Sequence, residues 1–364
     1  MDCLPRLTPL YPLFLLSLFA TSCHRKPPAI QKAYYYWRSG DMETSEQQFL
    51  KQHDIHKLYA RLMDIDWNEV QGAIPVSTAR IDDIERSLRV YDSFAVEMVP
   101  VVFITNRSFE KIAATEIPLL AKRLVRRCLP AFDETDKQYE KSRHINTFSV
   151  KEIQFDCDWT TKTAATYFQF LKEARALAAS KGVIVSATIR LHQFKYPDKT
   201  GIPPVDRGML MAYNISNPRQ YSTTNSIYDQ QKAEAYFTGK KKYPLPLDLA
   251  LPAWSWCLIY RNKEFYQIEN GLMEKELDQL AFLKKGPDHF YTVITDTVFH
   301  GLFLRNGDEI KSESIPPATL QNAARLARKA VNTDSFTVSL FELSQSEFNQ
   351  YTHETIDQVY DSFR

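Results

Sequence analysis

Eight apolar, strand-like runs alternate with amphipathic stretches along this chain, and that alternation narrows the folds open to it. The runs fall at 32–38, 57–67, 94–105, 152–159, 183–192, 209–214, 249–260 and 336–343. Stretches with helical periodicity lie between them at 45–53, 109–128, 163–181, 229–238 and 317–331. Strands that alternate with helices predict parallel strands joined by crossovers, and eight such strands fit a closed (β/α)8 TIM barrel better than an open sheet. The seventh run is interrupted near Pro252 and is expected to bend there. Tyr291 to Ile294 and Gly301 to Leu304, with Asn306-Gly307, read as hairpin material inserted between strands seven and eight. The whole of 32–364 is expected to form one barrel domain, and 364 residues with 44% hydrophobic content suffice for it.

Within this frame, Asp64-Ile65-Asp66-Trp67 and Asp156-Cys157-Asp158-Trp159 repeat one Asp-x-Asp-Trp pattern at the ends of strands two and four. Residues two apart in a strand point the same way, so each run is expected to deliver two carboxylates to one face. Buried carboxylates are costly unless paired, protonated or in use. Barrel sites form at the C-terminal strand ends. There strand one would add Trp37 and Arg38, and strand five Arg190, His192 and Gln193. Strand six would add Tyr213 and Asn214, and strand seven Trp254 and Trp256. With Trp67 and Trp159, this set holds all five tryptophans of the chain. An acidic centre ringed by aromatic faces suits a carbohydrate, and paired carboxylates suit cleavage of a glycosidic bond. Crowding would raise the pKa of one of them.

Structural readings stand beside these. Asp158 with Arg190 also reads as a buried ion pair, His192 as a hydrogen-bonded core histidine, and each tryptophan taken singly as packing. An Asp-x-Asp metal site lacks a His or Glu partner at ligand spacing, so neither a metal nor a cofactor is expected. The absence of a Gly-rich turn after the first strand argues against a nucleotide site. A formal net charge of +1 gives no support for nucleic-acid binding.

Gln154 to Thr160 resembles the strand-four motif Asp-x-x-Asp-x-Asp-x-Glu of chitinase-type (family 18) glycoside hydrolases. Met211-Ala212-Tyr213-Asn214 is similar to their strand-six motif, and Tyr34-Tyr35-Tyr36-Trp37 fits their first strand. Ala187 to Gln193, Pro203 to Gly208 and Leu251-Pro252 resemble a branch of bacterial envelope lipoproteins without the catalytic Glu. The resemblance implies a TIM barrel with Asp156 and Asp158 as the second and third acids, and Tyr213 as a substrate-holding tyrosine. The first acid falls on Ile153, and the general acid falls on Thr160. A threonine hydroxyl cannot protonate a leaving sugar oxygen near neutrality. Either another carboxylate does so, with Asp64, Asp66 and Glu342 as candidates, or the barrel binds a glycan without cutting it.

The N-terminus reads as a signal peptide over 1–22, with an apolar stretch from Leu10 to Phe19 too short for a comfortable span. Ala20-Thr21-Ser22-Cys23 resembles a lipobox, which would make Cys23 lipidated and 23–31 a tether, with simple secretion or an uncleaved anchor as alternatives. The implied location is the bacterial cell envelope, lipid-anchored to a membrane, with the periplasmic and surface faces both open. Cys128, Cys157 and Cys257 have no metal-ligand spacing, and a disulfide framework is not expected in so large a core. The pattern specifies no oligomeric state.

Overall fold

The computed structural model describes residues 28–79, 94–129, 150–239, 242–344 and 350–363. The expected signal peptide and Cys23 lie outside them. Eight parallel strands close on themselves: β1 (Ala29–Tyr36), β2 (Lys57–Asn68), β4 (Glu97–Ile104), β5 (Glu152–Asp156), β6 (Ile184–Arg190), β7 (Arg207–Met211), β8 (Leu247–Pro252) and β16 (Ser335–Phe341). β1 pairs with both β16 and β2, which completes the ring. β3 (Gly72–Thr78) folds back antiparallel on β2. The strands run near-continuously apolar because both faces are covered, one by the barrel interior and one by helices.

The helices in chain order are α1 (Thr44–Gln52), α2 (Asn106–Lys111), α3 (Ile117–Cys128), α4 (Ala164–Ala179), α5 (Leu191–Lys195), α6 (Pro197–Thr200), α7 (Gln230–Phe237), α8 (Glu274–Leu277), α9 (Pro317–Ala327) and α10 (His353–Asp361). In α3, Ile117, Leu120, Ala121, Leu124, Val125 and Cys128 form one buried stripe at helical spacing. The single helix expected over 109–128 is instead two. Pro118 lacks the N–H that a continuing helix needs and sits in the first turn of α3, where none is required.

The eight expected strands all form, with shifted ends. Strand starts at Ala29, so Ala29, Ile30 and Gln31 belong to the barrel and not to the tether. β5 stops at Asp156, so Cys157, Asp158 and Trp159 lie past its end. The larger correction concerns the seventh run. It does not bend as one strand: β8 ends at Pro252, and Trp256 opens β9 (Trp256–Arg261) in a different sheet. That sheet is antiparallel, in the order β10 (Glu264–Asn270), β9, β15 (Glu309–Glu313), β12 (Phe290–Val293), β11 (Leu283–Lys285). A further hairpin joins β13 (Thr297–Phe299) to β14 (Leu302–Leu304). The insertion is therefore larger than the expected hairpin and begins with residues read as barrel strand. Asn262 and Lys263, both at positive φ, make its first tight turn, where the twist of two antiparallel strands favours such a conformation. Cys257, Ile259, Tyr291, Val293, Leu304 and Ile310 give this sheet its own core.

Cys128, Cys157 and Cys257 are buried free thiols. Among the described residues no helix is long and apolar enough to cross a membrane.

Candidate functional site

Side chains from the C-terminal ends of the barrel strands and from the insertion enclose a cavity of about 300 Å³. On β5, alternation turns Gln154 and Asp156 to the interior. Gln154 accepts from the Tyr35 hydroxyl at 2.6 Å, and Asp156 Oδ1 accepts from Thr188 Oγ1 at 2.6 Å. Asp158, two residues on, reaches the mouth and is ion-paired with Arg190 Nη1 at 2.7 Å. This pair is partly exposed and not buried: the side chains retain 52% and 36% of their exposure.

An aromatic collar surrounds these acids. Trp254 packs edge-on against Tyr213 (ring centroids 4.9 Å), Phe341 (5.2 Å) and Trp256 (5.9 Å), and Phe341 meets Trp37 at 5.6 Å. Asn214, in the left-handed conformation that asparagine tolerates, turns the chain away from β7. Asn270 from β10 and Glu342 just past β16 complete the wall. A second cavity of about 610 Å³ shares Asp158, Arg190, Tyr213, Asn214 and Trp256 with the first and continues past His192, Asn217 and Tyr236. The two form one groove.

Burial pushes the Asp156 carboxyl up to about 7, against the lowering effect of the Thr188 hydrogen bond, and Asp158 adds to the rise. Burial likewise pushes Glu342 up to about 7, although Arg38 and Arg61 oppose it. His192 is lowered by burial and by Arg190. The Tyr213 hydroxyl is raised by burial and by Asp156, Asp158 and Glu342. That hydroxyl is buried with no hydrogen-bond partner, although the tyrosine lines both cavities.

Of the expected site residues, Trp37, Asp156, Asp158, Arg190, Tyr213, Asn214, Trp254 and Trp256 meet in the first cavity, and His192 lines the second. Six others line neither. Asp64 is held by Arg61, with Nε at 2.8 Å, and Asp66 by Arg107 Nη2 and Thr105 Oγ1, each at 2.6 Å. Trp67 donates its indole N–H to Glu69 on the exposed β2–β3 hairpin side. Arg38 pairs with Glu46 at 2.6 Å. Trp159 is buried against Tyr167 and Phe168 and donates to the Thr200 carbonyl at 2.9 Å. Gln193 is buried on α5, donating to the Trp159 carbonyl and accepting from the Arg190 N–H. The reason is that β5 and β6 end earlier than their apolar runs. Trp159 and Gln193 therefore turn into the layer between barrel and helices. Thr160 lines neither cavity, and its N–H is capped by Thr163 Oγ1 at 3.0 Å.

Phe103, Met211 and Phe341 also line the first cavity. Strand-end position could have marked them, whereas Asn270 belongs to the insertion and left no pattern. Among the described residues, the group close enough to share a cation is His53, His353 and Asp357, outside the groove. Lys32 Nζ already lies 3.3 Å from that aspartate.

No protein-family profile and no curated protein matches the chain in sequence. Solved structures do match in shape. The chain is similar to the C-terminal domain of a putative chitinase from Desulfitobacterium hafniense, with a TM-score of 0.54, 9% identity, and coverage of 93% of this chain and 100% of that one. It is similar to a chitinase from Chromobacterium violaceum (TM-score 0.51, 11% identity, 92% and 99% covered). It is also similar to the spore cortex-lytic enzyme SleL of Bacillus megaterium (TM-score 0.51, 9% identity, 93% and 75% covered). At such identities the likeness carries the fold, while function has to be argued from the site. The chain thus has the closed (β/α)8 barrel fold of the family 18-like glycoside hydrolases.

Proposed function

We propose that the groove binds a glycan. The single observation that carries this reading is the Tyr213 hydroxyl, on a residue only 4% exposed, left without a partner beside an aromatic-collared cavity. A buried unsatisfied hydroxyl costs about 1–3 kcal/mol. A sugar hydroxyl or amide that pushed aside part of the collar would reach and satisfy it. Trp37 and Trp256, partly exposed, offer apolar faces to pyranose rings with Trp254 packed behind them, and Asp158, Arg190, Asn214 and Asn270 offer polar groups to their substituents. The two connected cavities fit an extended chain of sugars better than a monosaccharide. The names of the fold neighbours, chitinases and a cortex-lytic enzyme, support polymers containing N-acetylglucosamine as the first ligands to try. A lipid anchor at Cys23 would hold such a groove at the cell envelope. This anchoring is part of the proposal and rests on the lipobox-like 20–23 stretch alone.

Calorimetric titration with N-acetylglucosamine tetramers, soluble peptidoglycan fragments and glucose tetramers tests the reading. Tyr213→Phe removes only the orphan hydroxyl, so the fold should be as stable or slightly more so. Affinity for the bound glycan should fall roughly tenfold, the loss of one hydrogen bond. Trp256→Ala should weaken it further. No binding across the panel, or an unaltered Kd in Tyr213→Phe, would remove the groove as a glycan site.

A further inference from the structure

Carboxyl groups stand on opposite walls of the first cavity. In the closed ring, β5 and β16 are four strands apart in either direction, so their C-terminal ends lie across the mouth from each other. Asp156 and Asp158 come from the β5 side and Glu342 from the β16 side, and all three line the same space. Tyr213, which lines the same space, lies within electrostatic reach of all three.

Glu342 is placed differently from the other acids near it. Phe341, the residue before it, packs against Trp37, Trp254 and Tyr213, and so fixes where the chain leaves β16. Arg38 and Arg61 lie near enough to act on its charge, but Arg38 is committed to Glu46 and Arg61 to Asp64. Glu46 is the further charged group that acts on Glu342, and it raises the cost of ionising it. Among the described residues none hydrogen-bonds the Glu342 carboxyl. It is therefore an unpaired acid facing into the groove, pushed up to about 7 by burial. Thr160, where a family acid would stand, is outside the cavity.

We propose that Glu342 supplies the acid this groove lacks at Thr160, making the barrel a glycoside hydrolase whose proton donor comes from the eighth strand. The inference rests on the glycan-binding reading. In the reaction the bond from the anomeric carbon to the glycosidic oxygen breaks, and its electron pair goes to that oxygen, which takes the Glu342 proton. A water oxygen forms the new bond to the anomeric carbon and gives up a proton to the Asp158 carboxylate across the cleft. Exchange with solvent returns that proton to Glu342. Acid and base on opposite sides of the scissile bond are what a single displacement by water needs.

The test uses a tetramer of N-acetylglucosamine and the 4-nitrophenyl glycoside of its dimer, with binding and turnover measured separately. The wild type should cleave both. Glu342→Gln should retain the tetramer Kd within about twofold and lose turnover of the tetramer by 10²–10⁴-fold, the usual share of general acid catalysis. It should lose far less on the nitrophenyl glycoside, whose leaving group needs little protonation. Its pH–rate profile should lose the limb that falls above about pH 7. If Glu342→Gln does not fold, Glu342→Asp keeps the carboxyl and shortens its reach. The same selective loss on the tetramer is then expected, and equal rates on both substrates relative to wild type would overturn the proposal. Binding without cleavage by the wild type would overturn it too and leave the glycan-binding reading standing. Absence of binding would overturn both.

Discussion

Trp256 donates its indole N–H at 3.0 Å to Glu313, its cross-strand partner on β15, so this groove-lining ring is held by the inserted sheet itself. The same Glu313 oxygen accepts from the Ser226 N–H and hydroxyl, and the other accepts from Lys311 Nζ at 2.7 Å. Lys311 and Glu313 side chains are 3% and 1% exposed, so the pair is buried and fully partnered. Breaking a buried pair from one side is costly because the remaining charge is stranded, typically about 3–5 kcal/mol. Glu313→Gln should therefore lower the unfolding free energy by about that much in urea titrations. It should also weaken glycan binding, because one amide oxygen must then serve the donors of Trp256, Ser226 and Lys311 that two carboxylate oxygens share. A loss below about 1 kcal/mol would show that the network holds nothing together.

The two Asp-x-Asp-Trp motifs diverge in the folded chain, and Trp159 shows the difference most sharply. Its ring is 1% exposed and packed against Tyr167, so it belongs to the barrel–helix layer. Trp159→Ala should cost about 3–5 kcal/mol in stability, the usual penalty for truncating a buried aromatic. Glycan affinity, measured on the fraction that remains folded, should stay within twofold of wild type. Trp256→Ala should do the reverse in proportion, since Trp256 is only partly buried and lines both cavities of the groove. Equal effects of the two substitutions on affinity would return Trp159 to the site.

The barrel was legible because its signal is periodic and redundant: eight runs, each buried on both faces, survive errors of several residues at their ends. The site was legible where a strand delivers its last inward residue directly, as at Asp156, or where the chain continues on along the mouth, as at Tyr213 and Trp254. It misled where an apolar run outlasted its strand. Trp159 and Gln193 are as hydrophobic or strand-end-like as their neighbours, yet one turn of chain past the hydrogen-bond ladder rotates them out of the interior. Asp64 and Asp66 misled for another reason. Their partners, Arg61 and Arg107, are three and forty-one residues away, and only the second separation hides the pairing. Asn270 was invisible because it reaches the groove through the insertion, whose docking no local pattern encodes.

Asp156 gives the molecule a stability that depends on pH in a definite direction. Burial raises its folded pKa from 3.8 to about 7, so between those values the folded state keeps a proton that the unfolded chain has released. Unfolding then releases protons, and stability falls as pH rises through that window, by about 4 kcal/mol in total at 1.36 kcal/mol per unit. The contribution is fully present below about pH 4 and gone above about pH 7. Glu342, also raised, acts in the same sense. Asp156→Asn keeps an oxygen to accept from Thr188 and cannot ionise, so it removes this one contribution. Urea unfolding of both proteins at pH 5 and pH 8 isolates it, because every other titrating group is shared. The wild type should lose more stability than the variant between the two, by about 2–3 kcal/mol. Parallel pH profiles would mean that Asp156 is charged in the folded barrel and has a counter-charge close by.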